Sequence, residues 1–322
     1  MDLAEFTARV SRDWPAITVL YYHQVSDRPH ALIPPELVCP LNRFRREMVW
    51  IKENFRVVSL PRALAEAAQG GPWEHLMVVT FDDGLEGVAR TAWPVLTELG
   101  IPSTVFVNTR GLMGKLSWIL MAHYLLTHGT DYDLQRAAGG PVTRGEFIGR
   151  IKENFSLETM ARLEEVFGAR AVGLAWPYIT RERLETRDAS LVSLGSHGHS
   201  HVILSKLDRR GQSQDLDLAH ETLKEMEGYL GMTSLPFGYH GSWDYFTEAW
   251  LKARGRGYLI TAYGGLNWRG AKAARGLREV RRIESAGHLA ALPALLWQGW
   301  SRQRGLMAAA KRYLWRVAGV KT

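Results

Sequence analysis

Two adjacent carboxylates, Asp82 and Asp83, and two histidines four residues apart, His197 and His201, are the residues here whose types and spacing could do chemistry. Neighbouring carboxylates repel each other, which is costly unless a cation or an acid–base task makes use of the pair. A plain DDG turn at Asp82–Gly84 is the commoner use of such residues, and the histidines are what weigh against it. The H-x-x-x-H spacing predicts both imidazoles on one side of a helix or helical turn. Joined by a carboxylate from another strand end, they would form a two-histidine, one-carboxylate set. Such a set holds zinc or another divalent cation and leaves positions open for water and substrate. Taken alone, H-x-x-x-H is more often not a metal site; the combination with Asp82 and Asp83 makes the case. His199, between the two, is expected to point elsewhere.

The elements that must position these residues are legible from the apolar pattern. Leu76–Phe81 (LMVVTF) reads as a central strand buried on both faces, which puts Asp82 and Asp83 at its carboxyl end, where ligands bind in parallel-sheet folds. Ile17–Tyr22 is a first buried strand closed by His23. Asn42 is expected to cap a helix with Phe44, Met48, Ile51 and Phe55 on one face, and Val57–Leu60 to form a short strand. A helix through Val88, Ala92, Val95 and Leu99 ends at Gly100, followed by the strand Ser103–Val107. Between residues 110 and 190 the pattern loosens into helices, among them an apolar one at Trp118–Leu126 and another carrying Met160, Leu163 and Phe167. This predicts an inserted helical subdomain. Leu191–Ser196 then leads into the histidines. A long amphipathic helix through Leu216, Ala219, Leu223, Met226 and Leu230 follows, then a strand at Leu235–Tyr239, a helix over Tyr245–Arg254 and a strand at Tyr258–Tyr263. The alternation argues for parallel strands in an α/β architecture.

Composition bounds the function. A chain of 322 residues with 46% hydrophobic content can bury a large core. The single cysteine, Cys39, excludes an intramolecular disulfide framework. An acid-bearing amino terminus without an apolar core segment, and no apolar run long enough to span a bilayer, lead us to expect a cytoplasmic protein. The net charge of +7 belongs to the carboxyl-terminal part, where twelve Lys and Arg face two acids between Arg269 and Thr322. No nucleic-acid-binding motif accompanies it, so no nucleic-acid partner is expected. Within 301–322, Leu306, Ala310, Tyr313, Leu314 and Val317 recur at helical spacing with Lys311, Arg312 and Arg316 on other faces. This basic amphipathic tail could contact the inner face of an anionic membrane, or equally pack as an ordinary terminal helix. No G-x-S-x-G, G-x-G-x-x-G or P-loop pattern is present, which argues against a serine hydrolase or a nucleotide site.

TFDDG at Thr80–Gly84 followed by SHGHSH at Ser196–His201 resembles the polysaccharide deacetylase family with its NodB homology domain, a carbohydrate-esterase-family-4-like group. Leu20-Tyr-Tyr-His-Gln-Val25 resembles the LxYHxV start of the branch that includes exopolysaccharide deacetylases, and Gly100–Val107 resembles its GIPATFFV strand. The resemblance covers roughly residues 17 to 108 and 190 to 285. It implies a distorted (β/α)7 barrel and a metal-dependent hydrolase removing N-acetyl groups from an acetylated aminosugar. By the family pattern Asp83, His197 and His201 would bind the cation, zinc first, with cobalt, nickel or manganese as alternatives. Asp82 would be the general base, and His23 could be the general acid for the leaving amine.

Phe237-Gly-Tyr-His-Gly241 is where the sequence departs from the family. The arginine that orients the base in many members is replaced by Gly238, and His240 stands for the usual proline. Arg282, in Val280–Glu284, resembles the PRI segment of the same branch and could supply the missing charge to Asp82. Tyr239, His240 and Trp243 are expected to line the sugar site, and Trp118, Trp243 and Trp268 could stack on sugar rings. The expected function is N-deacetylation of an intracellular aminosugar-containing carbohydrate, whether a polysaccharide precursor, a lipid-linked sugar or a small glycoside. A deformylase or other deacylase of a non-sugar amide is the alternative within hydrolysis. A catalytically silent sugar-binding or membrane-scaffold protein is the alternative outside it.

Overall fold

Six-residue runs of β-branched and aromatic residues form the centre of the sheet, because every residue of Ile17–Tyr22 and of Leu76–Phe81 is buried and a strand covered on both faces needs no polar side. The computed structural model describes residues 16–69, 74–239, 241–264, 267 and 278–284. The expected strand 258–263 is shorter, at Tyr258–Ile260. Every ladder between the described strands is parallel. From Ile283–Glu284 the order runs through Ile17–Tyr22, Leu76–Phe81, Ser103–Val107 and Val192–Ser196 to Tyr229–Thr233, and Arg56–Val57 pairs beside Leu76. Arg278–Val280 pairs with Tyr258–Ile260, and Ser234 meets Ile260 through a single bridge. The pairings thus lead back towards the first strand, with one bridge in place of a ladder at the weakest link, as in a distorted barrel.

Register decides which loops meet. Ile17 to Tyr22 lie opposite Leu76 to Phe81 without offset, and the Asp82 N–H donates to the Tyr22 carbonyl at 2.9 Å. His23 therefore leaves its strand at the level where Asp82 and Asp83 leave theirs. Val107 pairs with Ser196, and the His197 N–H donates to the Val107 carbonyl at 2.8 Å. The carboxylates and the histidines, 114 positions apart along the chain from Asp83 to His197, thus share one end of the sheet.

The helices between Ser103–Val107 and Val192–Ser196 are Trp118–His128, Asp131–Ala138, Phe147–Glu153, Leu157–Gly168 and Arg181–Glu185. Trp118, Phe147, Phe155 and Leu163 share one apolar cluster with Val202, Ile203, Leu204 and Leu235. The inserted helices thus pack directly on the segment that follows His201. No helix among the described residues is long and apolar enough to cross a membrane.

Several local expectations need correction. The helix Leu41–Asn54 has Asn42 inside it, and the N–H of its first residue, Leu41, is satisfied by the Asp27 carboxylate at 2.9 Å, a distant side chain doing the work expected of Asn42. The strand expected at 57–60 is Arg56–Val57, and Leu60 already begins a helix capped by Ser59. The helix expected to reach Leu230 is Arg209–Leu223; Leu230 belongs to the strand Tyr229–Thr233, since apolar spacing alone does not separate the end of a helix from the start of a buried strand. The segment 235–239 is a turn, with Phe237 and Gly238 at φ of 61° and 31°. The basic tail 301–322, His240 and Trp268 lie outside the described residues.

Candidate metal centre and active site

Asp82 and Asp83 follow their strand by one and two residues, and the chain turns at once. Asp83 sits at φ 69°, a left-handed conformation that is uncommon outside glycine but that aspartate tolerates better than most residues. The DDG segment is therefore a turn as well as a pair of carboxylates. The turn separates their duties: Asp82 points at an arginine and Asp83 at two imidazoles.

Asp83 Oδ1 lies 3.1 Å from His201 Nε2 and 3.6 Å from His197 Nε2, and one ligand atom from each of the three residues falls within 4.8 Å of the others. His197 Nδ1 is 2.9 Å from the Ser234 carbonyl. A carbonyl only accepts, so Nδ1 carries the hydrogen and the neutral ring presents a lone pair at Nε2. Burial lowers the His197 pKa to about 4, against the opposing pull of Asp82, so the neutral ring prevails at physiological pH. Burial alone would raise the Asp83 carboxyl, but the neighbouring His201 and His197 lower it. Asp83 Oδ1 itself finds no hydrogen-bond donor among the described residues. A carboxylate oxygen, the His197 Nε2 lone pair and the His201 ring thus converge on one buried point, and a divalent cation is the group that this donor set fits.

His197 and His201 are not on a helix. Both belong to the loop after Val192–Ser196, and His201 reaches Asp83 because its own backbone is left-handed, at φ 55°. Two buried groups hold this loop. The Asp215 carboxylate accepts the N–H of His199 at 2.9 Å and of Ser200 at 2.7 Å. Trp118 Nε1 donates to the His201 carbonyl at 2.8 Å. A Cβ at Gly198 would stand 2.9 Å from Asp215 Oδ2, so the glycine between the histidines is what lets the carboxylate reach both amides. His199 turns aside to Thr109, with Nδ1 at 2.9 Å from its hydroxyl.

Asp215→Ala should cost about 2–4 kcal/mol of stability, since it leaves two buried amides without an acceptor, and should weaken metal binding by about 10–100-fold. Denaturant titration and a competitive zinc titration would show both. Unchanged values in both would mean that the loop holds itself.

Asp82 is 3% exposed and Arg282 1%. They form a two-pronged pair, Nη1 to Oδ1 at 2.7 Å and Nη2 to Oδ2 at 2.8 Å. The same guanidinium donates to the Thr261 carbonyl at 3.1 Å and the Ser234 hydroxyl at 2.7 Å, and lies 4.7 Å above the Tyr21 ring. Burial pushes the Asp82 carboxyl up, but Arg282, His197 and His23 together outweigh it and the net shift is downward. Gly238 could not carry the arginine instead, because a Cβ there would come within 2.5 Å of the Ala262 backbone nitrogen.

His23 is half-buried, edge-on to Tyr21 at 5.6 Å, and its charge would lower both Asp82 and Asp83. Tyr239 is 43% exposed beside Phe237, whose ring meets that of His201 at 4.8 Å. Trp243 packs half-buried against Tyr263. Trp118 is fully buried and unavailable to a sugar; it braces His201 instead. Asp215, Ser234 and Trp118 in this bracing role escaped the sequence reading. Asp215 alone left a signal there, as a carboxylate bordering the apolar stripe of Leu216, Ala219 and Leu223.

No family model matches the chain. A curated relative from Bacillus subtilis, YxkH, named a polysaccharide deacetylase, is 26% identical over 112 residues; the match spans 34% of this chain and 38% of that protein. Among solved structures, the de-N-acetylase from Aggregatibacter actinomycetemcomitans superposes with a TM-score of 0.55 at 15% identity, covering 87% of this chain and all of its own. The chain shares its fold with these deacetylases. IcaB from Ammonifex degensii gives a TM-score of 0.54 at 18% identity over 89% of this chain and 98% of its own. A polysaccharide deacetylase from Bacillus cereus gives 0.52 at 17% over 84% and 64%. In this fold the two carboxylates, the two histidines, His23 and Arg282 all lie at or near carboxyl ends of parallel strands, the end where such sheets bind ligands.

Proposed function

We propose that this protein is a divalent-metal-dependent N-deacetylase acting on an acetylated aminosugar within a larger carbohydrate. The convergence of Asp83, His197 and His201 on one point, beside a second carboxylate held ionised by Arg282, carries the reading. Asp83, His197 and His201 would hold the cation. When bound, it would supply Lewis-acid polarisation of the acetamido carbonyl and acidify water.

The chain's own residues supply the rest. Asp82, kept ionised and fixed in orientation by two N–H donors, accepts the proton of the attacking water. Arg282 makes Asp82 a weak base, so the proton is held loosely and readily passed on. His23, at the same end of the sheet, would give a proton to the nitrogen as the C–N bond breaks. The amide and one water thereby become acetate and a free amine. Tyr239, exposed at the rim, is placed to meet the sugar.

The test is acetate release from a panel of N-acetylated amino-oligosaccharides, with N-formyl and non-sugar amides alongside and a chelator control. Release from the N-acetyl sugars, abolished by chelation and restored by zinc, cobalt, nickel or manganese, is expected. Turnover of formyl or non-sugar amides alone would move the reaction to another amide class, and none by the metal-loaded protein would end the proposal.

A further inference from the structure

Across the Phe237 ring from His201 stands a cation that no anion pairs with among the described residues. Lys152 lies on the helix Phe147–Glu153 of the inserted segment. It is half-buried, and its Nζ stands 5.2 Å from the centroid of the Phe237 ring, the ring that meets His201 at 4.8 Å. The ammonium is therefore within about 10 Å of the His201 ring. Among the described residues no carboxylate pairs with it and no acceptor takes its hydrogens, whereas Lys206 nearby donates to the Glu153 carbonyl at 3.1 Å. Its titratable neighbour from the helix Trp118–His128 is His123, itself half-buried, whose pKa burial lowers against the pull of Glu36, with Lys152 adding to the lowering. Burial lowers the pKa of Lys152.

A half-buried ammonium facing only an aromatic ring keeps its charge but leaves three strong donors unused. Desolvating it is unfavourable unless something pairs with it. Arg282 is committed to Asp82, so an anionic substituent near the reacting end would need another cation. Lys152 is in that place.

We propose that Lys152 binds an anionic substituent, a phosphate or carboxylate, carried by the saccharide adjoining the acetamido group that reacts. The substrate is then an acidic or phosphorylated aminosugar chain. This rests on the N-deacetylase reading.

Two measurements test it. The first is kcat/KM of the metal-loaded enzyme for three substrates: diacetylchitobiose, its 1-phosphate, and an N-acetylglucosamine disaccharide with a uronic acid. An anionic substrate should be preferred by about tenfold or more at low salt, and the preference should fall as salt is added. Lys152→Met should bring the ratio near one and Lys152→Arg should keep most of it. Whichever acidic sugar leads identifies the anion. A ratio near one in the wild type, or one unchanged by Lys152→Met, overturns the proposal.

The second is a titration of inorganic phosphate into the protein carrying isotopically labelled lysine, with the Lys152 side-chain resonance assigned by its loss in Lys152→Met. A saturable shift is expected and its absence overturns the anion site. If no sugar releases acetate while that resonance still responds to phosphate, the deacetylase reading has failed and the anion site has not.

Discussion

Asp83→Ala should lose its divalent cation and, with it, acetate release by roughly three to four orders of magnitude, about 4–5.5 kcal/mol of barrier. The expectation comes from the donor set. Asp83 Oδ1 is buried, faces both imidazole Nε2 atoms and has no donor of its own among the described residues. Without it, two neutral imidazoles remain, and two ligands hold a divalent ion far less tightly than three. Stability reports the same loss independently of activity. A cation at 100 times its Kd stabilises the wild type by about 2.7 kcal/mol, so the zinc-dependent rise in Tm should vanish in the variant. The measurements are metal content after dialysis and melting with and without zinc. If Asp83→Ala keeps one cation per chain and its zinc-dependent Tm shift, the centre is elsewhere.

Arg282→Met should destabilise the protein by about 3–5 kcal/mol at neutral pH, because it leaves Asp82 as a buried carboxylate without its counter-ion. The Thr261 carbonyl and the Ser234 hydroxyl lose a partner as well. The pH dependence distinguishes this cause from simple loss of packing. In the wild type the folded Asp82 carboxyl lies below its ordinary value of 3.8. Its pairing therefore stabilises the fold above pH 3.8 and is lost as pH falls through the lower folded value. Removing Arg282 leaves burial in charge, which raises the carboxyl. The deficit of the variant should then be largest near neutrality and shrink as the solution approaches pH 4, where Asp82 can take up a proton. Urea unfolding of both proteins at pH 7 and pH 4.5 measures this. Arg282→Met with Asp82→Asn should recover part of the neutral-pH loss, since no buried charge remains. A deficit equal at both pH values, with no recovery in the double variant, would show that Arg282 acts by filling space. Activity should fall too, because a protonated or reoriented Asp82 cannot accept a proton from water.

The strands were legible where burial is complete. Ile17–Tyr22, Leu76–Phe81 and Ser103–Val107 have the expected bounds, because a strand covered on both faces reads as a nearly continuous run of apolar and β-branched residues. Errors gathered where local and distant causes compete. Asn42 is a good capping residue by type, yet the Asp27 carboxylate occupies the helix start. Leu230 fits a helical period by accident of spacing, and strand pairing with Val192–Ser196 claims it. The turn at 235–239 has strand-like residues, but the bridge at Ser234 and the left-handed Phe237 and Gly238 break the run.

The sequence by itself determined the donor types and the two strand ends that present them: paired carboxylates after one apolar run, spaced histidines after another. Those are local features, since a run of apolar residues and the residue that ends it are read without any partner. Only the tertiary structure decided that the histidines stand on a left-handed loop, held by Asp215 and Trp118, rather than on a helix. It turned the Arg282–Asp82 pairing expected from resemblance into a two-pronged contact across 200 positions, and set Lys152 of the inserted helices over the ring that faces His201. Each of these contacts joins residues distant along the chain, and sheet register and helix packing, which no local pattern encodes, bring them together.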